Sequence, residues 1–141
     1  MLRKQIENRI KRYASALGAL DVEGICDFWL VPGVMSVRGV NTIFPTRNSL
    51  YATADALCDF YERRGVAYMR AVLGESTMPL PDSVYCSAHF EAADVNGMPI
   101  AGWTQHYTLR FVNNDWRIAF LLGDGETIAW EKLGTPFGSG K

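Results

Sequence analysis

Residues 84–122 run VYCSAHFEAADVNGMPIAGWTQHYTLRFVNNDWRIAFLL. Apolar and polar residues alternate through most of this stretch, which is the period of strands with one face covered. Asn96-Gly97 is the residue pair that two-residue hairpin turns demand, and Asn113-Asn114-Asp115 marks a second turn. Three long antiparallel strands are therefore expected, at 84–95, 100–112 and 116–122. A turn at Asn96-Gly97 sets Phe90 beside Trp103, Ala88 beside Gln105 and Cys86 beside Tyr107. A turn at Asn113-Asn114 sets Phe111 beside Trp116, Leu109 beside Ile118 and Tyr107 beside Phe120. One face then carries Cys86, Ala88, Phe90, Trp103, Gln105, Tyr107, Leu109, Ile118 and Phe120, and must be covered by other elements. The opposite face carries Tyr85, Ser87, His89, Glu91, Thr104, His106 and Arg110, which suits solvent or a partner subunit.

Upstream, Val66–Met78 reads as a further long strand, closed by the turn residues Pro79-Leu80-Pro81-Asp82. Before it the period changes. Leu2, Ile6, Ile10, Tyr13, Ala14 and Leu17 recur at three- and four-residue steps, giving a helix over 2–18. Its other face, with Arg3, Lys4, Arg9, Lys11 and Arg12, reads as solvated. Asp21 suits the N-cap of a short second helix reaching Leu30, stopped by Pro32-Gly33. Val34–Arg38 and Asn41–Phe44 alternate like two short strands about Gly39. Residues 45–52 read as a turn, and Thr53 with Asp55 opens a third helix that carries Ala56, Leu57, Phe60 and Tyr61 inward. Helices first and a strand meander afterwards give an α+β fold, with three N-terminal helices packed on a curved, mostly antiparallel sheet.

The chain has 141 residues, enough for one domain, expected over 1–133 with a flexible tail at 134–141. Lys+Arg 14 against Asp+Glu 15 leaves a net charge of −1, which excludes a dominant electrostatic attraction to nucleic acid or acidic lipid. No apolar run is long enough to span a membrane and no secretory leader is visible. Cys26, Cys58 and Cys86 lack paired spacing and read as free thiols of a cytoplasmic protein.

Gln105 stands out, an amide amid aromatic residues on the covered face. It either bonds a loop carbonyl or an ordered water, or it is a donor aimed into a cavity. His89 and His106 lie diagonally on neighbouring strands but on the outer face, so a subunit contact explains them better than metal binding or catalysis. Asp27 and Asp59 lie on helices and suit solvated faces better than the rim of a pocket. Gly123-Asp124-Gly125 is not read as a phosphate loop, because no helical pattern is seen after it.

Arg12-Tyr13-Ala14-Ser15-Ala16-Leu17, Asp21, Gly24-Ile25 and Phe28-Trp29 resemble the opening of ketosteroid isomerase and its relatives. Ala56-Leu57-Cys58-Asp59-Phe60-Tyr61 resembles their third helix. Gln105-His106-Tyr107, Trp116-Arg117-Ile118 and Gly123-Asp124-Gly125-Glu126 resemble their last two strands. The resemblance covers nearly the whole chain and implies the nuclear transport factor 2-like superfamily, a cone in which a curved sheet and three helices enclose an apolar pocket. It places the isomerases' oxyanion-binding tyrosine on Tyr13, and their second oxyanion donor on Gln105, where an amide can donate without a tuned pKa. Their general base falls near Val37, where Ser36-Val37-Arg38 offers no carboxylate. Tyr13 and Gln105 are thus the catalytic candidates. Trp29, Phe60, Tyr68, Trp103, Tyr107 and Phe120 are the candidates for the pocket wall.

The function expected on this basis is an isomerase, dehydratase or cyclase acting on a small hydrophobic carbonyl compound. The alternatives are a ligand-binding module without chemistry and a subunit-interaction module, each on the same fold. A homodimer through the outer sheet face is expected. No cofactor or metal is expected, since the chain has neither a dinucleotide fingerprint nor a strong metal-ligand spacing.

Overall fold

The computed structural model describes residues 2–135, so residues 136–141 of the expected tail lie outside it. The chain runs α1 (Leu2–Gly18), α2 (Val22–Asp27), β1 (Trp29–Val37), β2 (Val40–Phe44), α3 (Arg47–Arg63), β3 (Tyr68–Leu80), β4 (Ser83–Ala93), β5 (Pro99–Val112), β6 (Asp115–Leu122) and α4 (Asp124–Lys132). The six strands form one sheet in the order β2-β1-β6-β5-β4-β3. All neighbours are antiparallel except β1 and β6, whose parallel pairing joins the two short N-terminal strands to the long meander.

The β4–β5 register is the expected one, with Phe90 opposite Trp103, Ala88 opposite Gln105 and Cys86 opposite Tyr107. The turn itself is wider than two residues. Strand β4 stops at Ala93, and the Asp94 carboxylate accepts from the backbone N–H groups of Asn96 and Met98, both at 2.9 Å. The β5–β6 pair starts as expected, with Phe111 opposite Trp116 and Leu109 opposite Ile118. It then gains one residue: Thr108 pairs with Phe120 and Tyr107 with Leu121. Such a bulge exchanges the faces of everything beyond it. Phe120 therefore goes to the outer side and Leu121 into the core, correcting the expected place of Phe120.

Two helix boundaries differ from the sequence reading. Helix α2 ends at Asp27, because Trp29 already pairs with Ile118 of β6. Pro32 is carried inside β1 rather than ending a helix; it falls where the β1–β6 pairing skips from Trp29 to Val34, so its missing N–H costs no ladder bond there. Helix α3 starts six residues earlier than Thr53, at Arg47, with a capping box in which Thr46 Oγ1 accepts from the Ser49 N–H at 3.2 Å and Ser49 Oγ takes the Thr46 N–H at 3.2 Å.

A fourth helix follows β6 where none was expected. α4 buries Glu126, Thr127 and Trp130, so its inward face is half polar and leaves no apolar stripe in the sequence. Asp124 and Glu126 in its first turn and Lys132 in its last match the helix dipole. Gly125 lets it lie directly on β5, since a Cβ at that position would come within 2.3 Å of the Thr104 carbonyl oxygen.

The core lies between the inner sheet face and α1, α3 and α4. Ile6, Ile10, Tyr13, Ala14 and Leu17 of α1 are buried, as the helical period requires. Arg9 is buried with them, which corrects its place on a solvated face. Its Nε donates to the Trp116 carbonyl at 2.8 Å, its Nη1 lies 3.2 Å from the Asp115 carboxylate, and its guanidinium covers the Phe28 ring at 4.1 Å. Cys26, Cys58 and Cys86 are all free and buried. Among the described residues, no helix is long and apolar enough to cross a membrane.

Gly125→Ala is expected to push α4 off β5 and to lower stability by about 2 kcal/mol, as overpacking does. A urea midpoint equal to wild type would show that α4 does not depend on that close approach.

Candidate functional site

The inner sheet face and the helices do not fill the cone. They leave a cavity of about 660 Å³, within the range of small-molecule sites. Trp103, Gln105 and Tyr107 reach it from β5, Phe90 from β4, Trp29 from β1 and Tyr13 from α1. Inward alternation puts residues 103, 105 and 107 on one side of β5, so the same register that buries the aromatics also aims the amide.

At the floor sits a carboxyl that the sequence reading did not single out. Glu126 is 6% exposed and takes hydrogen bonds from three elements. The Tyr61 hydroxyl on α3 and the Trp130 indole N–H on α4, the latter at 3.2 Å, donate to Oε2. The Gln105 amide on β5 donates to Oε1 at 3.4 Å. Burial raises the Glu126 carboxyl from its ordinary 4.5 to about 7, with the bonds from Tyr61 and Trp130 pulling the other way. Burial likewise lifts the Tyr13, Tyr61 and Tyr107 phenols above their ordinary value, keeping all three neutral at physiological pH.

Tyr13 and Gln105 both line this cavity. The Tyr13 hydroxyl accepts from the Trp29 indole N–H at 3.2 Å, which leaves its own hydrogen to be donated. Its ring packs edge-on to Phe28 and Tyr107, at 5.4 and 6.2 Å between centroids. Of the two alternatives for Gln105, neither describes it fully: its N–H group bonds a carboxylate rather than a loop carbonyl, and its Oε1 is buried without a partner among the described residues.

Trp29, Phe60, Trp103 and Tyr107 of the expected wall face the cavity. Tyr68 does not. Met69, Ala71 and Leu73 take the inward positions of β3, so Tyr68 points outward and is 54% exposed. Phe120 is turned away by the β6 bulge, and Leu121 stands in its place. Val37 lines the wall where the isomerases' base was expected, with no carboxylate beside it in β1.

Of the other candidates, Asp27 pairs with Arg47 at 2.9 Å, and Asp59 lines the cavity while pairing with Arg63 at 3.2 Å. His89 and His106 are diagonal neighbours on the exposed outer face, where His89 Nδ1 lies 3.3 Å from the Thr104 hydroxyl. Among the described residues, no cluster of three His, Cys, Asp or Glu side chains is arranged to hold a metal ion.

A family model of NTF2-like proteins (DUF6841) matches residues 3–126. The chain belongs to this NTF2-like family. Solved structures share the fold. An NTF2-like protein with a cystatin-like fold from Novosphingobium aromaticivorans is 22% identical, with a TM-score of 0.62 over 93% of this chain and 88% of its own. A cystatin-like protein of unknown function from Nostoc punctiforme is 14% identical, with a TM-score of 0.66 over 85% and 87%. A ketosteroid isomerase-like protein from Erwinia carotovora atroseptica is 17% identical, with a TM-score of 0.57 over 79% and 85%. No curated protein matches the chain significantly. At these identities the NTF2-like relatives establish the fold, and the chemistry of this member has to come from its own side chains.

The raised carboxyl has a consequence for stability. Between pH 4.5 and about 7 the folded chain keeps a proton on Glu126 that the unfolded chain has released. The stability this contributes is complete below pH 4.5, falls as pH rises to about 7, and is gone above that. At about 1.4 kcal/mol per pH unit the loss is roughly 3 kcal/mol. Urea unfolding across this window should show the fall in wild type and not in Glu126→Gln; parallel profiles would mean that Glu126 is ionised throughout.

Proposed function

We propose that the protein binds a small hydrophobic carbonyl compound in this cavity and moves a proton on it, as an isomerase, dehydratase or cyclase does. The observation that carries this reading is the buried Glu126 carboxyl in the wall of an aromatic cavity, poised near pH 7, close to the best value for a general base at neutral pH. Ionised Glu126 takes a proton from the carbon next to the ligand's carbonyl. The electron pair left behind moves onto the carbonyl oxygen, and the resulting enolate accepts the Tyr13 hydrogen bond. Returning the proton to a different carbon gives isomerisation; passing it to a β-hydroxyl, which leaves as water as the enolate collapses to the conjugated carbonyl, gives dehydration. Tyr61, Trp130 and Gln105 position the carboxyl. Glu126 thereby takes the part that the resemblance assigns near Val37, and Tyr13 keeps the oxyanion role it was expected to have. Gln105 becomes a positioning residue.

The three donors on Glu126 favour a second reading, a binding module without chemistry, because a carboxyl so fully bonded also serves as a rigid floor. Self-association through the outer sheet face belongs to either reading, supported by the exposed Val72, Tyr85, His89 and His106 on neighbouring strands.

Alpha-tetralone in deuterated buffer tests the chemistry. The protein should speed deuterium uptake beside the carbonyl, and Glu126→Gln and Tyr13→Phe should each slow that uptake about tenfold or more while leaving the fold intact. Saturable tetralone binding without exchange would sink the enzyme reading in favour of the binding module. Sedimentation at micromolar concentration should give a dimer that Tyr85→Lys weakens; a wild-type monomer would refute the interface.

A further inference from the structure

The wall of the cavity holds four charged residues, and they are sorted by depth. Glu126 is buried at the floor, while Asp59, Arg63 and Arg64 are exposed at the C-terminal end of α3, beside the exposed β1–β2 hairpin residues Val40 and Thr42. That end is the mouth. Thr53, Ala56, Phe60, Arg63 and Arg64 succeed one another at helical steps, so one face of α3 runs from the mouth into the aromatic wall.

The two arginines are not equivalent. Arg63 Nε lies 3.2 Å from the Asp59 carboxylate one turn back, so each cancels the other's charge. Arg64 has no ion-pair partner among the described residues, and its guanidinium rests over the Phe60 ring, 5.4 Å from the centroid. Phe60 in turn packs edge-on against Trp130, at 5.1 Å, beside the Glu126 carboxyl. Cations at a helix C-terminus are common because they match its dipole. Arg64 differs in its seat, a cation held by an aromatic ring at the opening of an apolar cavity with no cation at its floor.

We propose that Arg64 makes this cavity a site for apolar molecules bearing one anionic group, a carboxylate or sulfonate, held at the mouth while the apolar body fills the aromatic interior. The proposal rests on the reading of the cavity as a ligand site and narrows its ligand class. It also fixes orientation. An ionised Glu126 repels a second anion at the floor, and Arg64 attracts it at the mouth, so the uncharged reactive end of the ligand enters first.

Two fluorescent probes that differ by a single sulfonate separate charge from shape: 8-anilino-1-naphthalenesulfonate and uncharged N-phenyl-1-naphthylamine. The sulfonate probe should bind about fivefold more tightly, the size of effect one exposed ion pair provides. Arg64→Ala should bring its affinity down to that of the neutral probe and leave the neutral probe unchanged. Arg63→Ala, which frees Asp59 at the mouth, should weaken only the sulfonate probe. Thr42→Trp, which plugs the opening from an exposed position of the β1–β2 hairpin, should abolish both. Equal affinities in wild type, or a sulfonate preference that survives Arg64→Ala, would overturn the proposal while leaving the cavity a ligand site. Binding of both probes that survives Thr42→Trp, or no binding of either, would overturn the ligand-site reading and this proposal with it.

Discussion

A carboxyl group removed from water must find its hydrogen bonds inside the protein, and Glu126 draws them from α3, β5 and its own helix α4. These bonds tie three parts of the chain to one point. Tyr61 is fixed by the packing of α3, Gln105 by the β4–β5 register, and Trp130 by its place one turn beyond Glu126. The arrangement requires α4 to lie close on the sheet, which Gly125 permits, and requires β6 to deliver the chain to that spot. The β6 bulge is part of this, since it places Leu121 and Gly123 on the inner side ahead of the helix.

The same geometry keeps the cavity open. Aromatic side chains have two torsions each and lose little freedom when locked edge to face, so they can line a space that aliphatic side chains would collapse into. Trp29 against Phe44, Phe60 against Trp130, and Phe90 stacked on Trp103 form such a frame. Indole and phenol groups within the frame supply the polar contacts, with Trp29 bonding Tyr13 and Trp130 bonding Glu126. The wall is therefore apolar by area and polar at a few fixed atoms, as ligand sites generally are.

The sequence made the β4–β5 hairpin legible because Asn96-Gly97 and the period-two pattern agree, and the pairing of Ala88 with Gln105 follows from them. It made Tyr13 and Gln105 legible by period and by resemblance. Phe120 was misplaced because the extra residue in β6 leaves no local mark: Ala119-Phe120-Leu121-Leu122 alternates no better in one register than in the other. The start of α3 was hidden because Thr46 is capped by a serine rather than the usual glutamate or glutamine, within a run of turn-forming residues. Helix α4 and Glu126 were hidden together. A helix that buries a glutamate and a threonine has no apolar period, and two glycines at its start read as loop. The spacing of Glu126 and Trp130, one turn apart, was the signal available, an acid and a ring with a donor on the same helix face.

Burying Glu126 works against stability at neutral pH. Above about pH 7 the folded chain must hold the charge in a place that disfavours it, whereas a glutamine there would keep one acceptor, for Tyr61 and Trp130, without the charge. The carboxyl differs from the amide in accepting at both oxygens and in being able to take up and release a proton near neutral pH. The second property is the one the proposed chemistry draws on, and Glu126 also lines the cavity. The local cost in stability and the proposed chemistry thus come from the same atom pair, and the closely docked α4 that hides Glu126 from the sequence pattern is also what places it there.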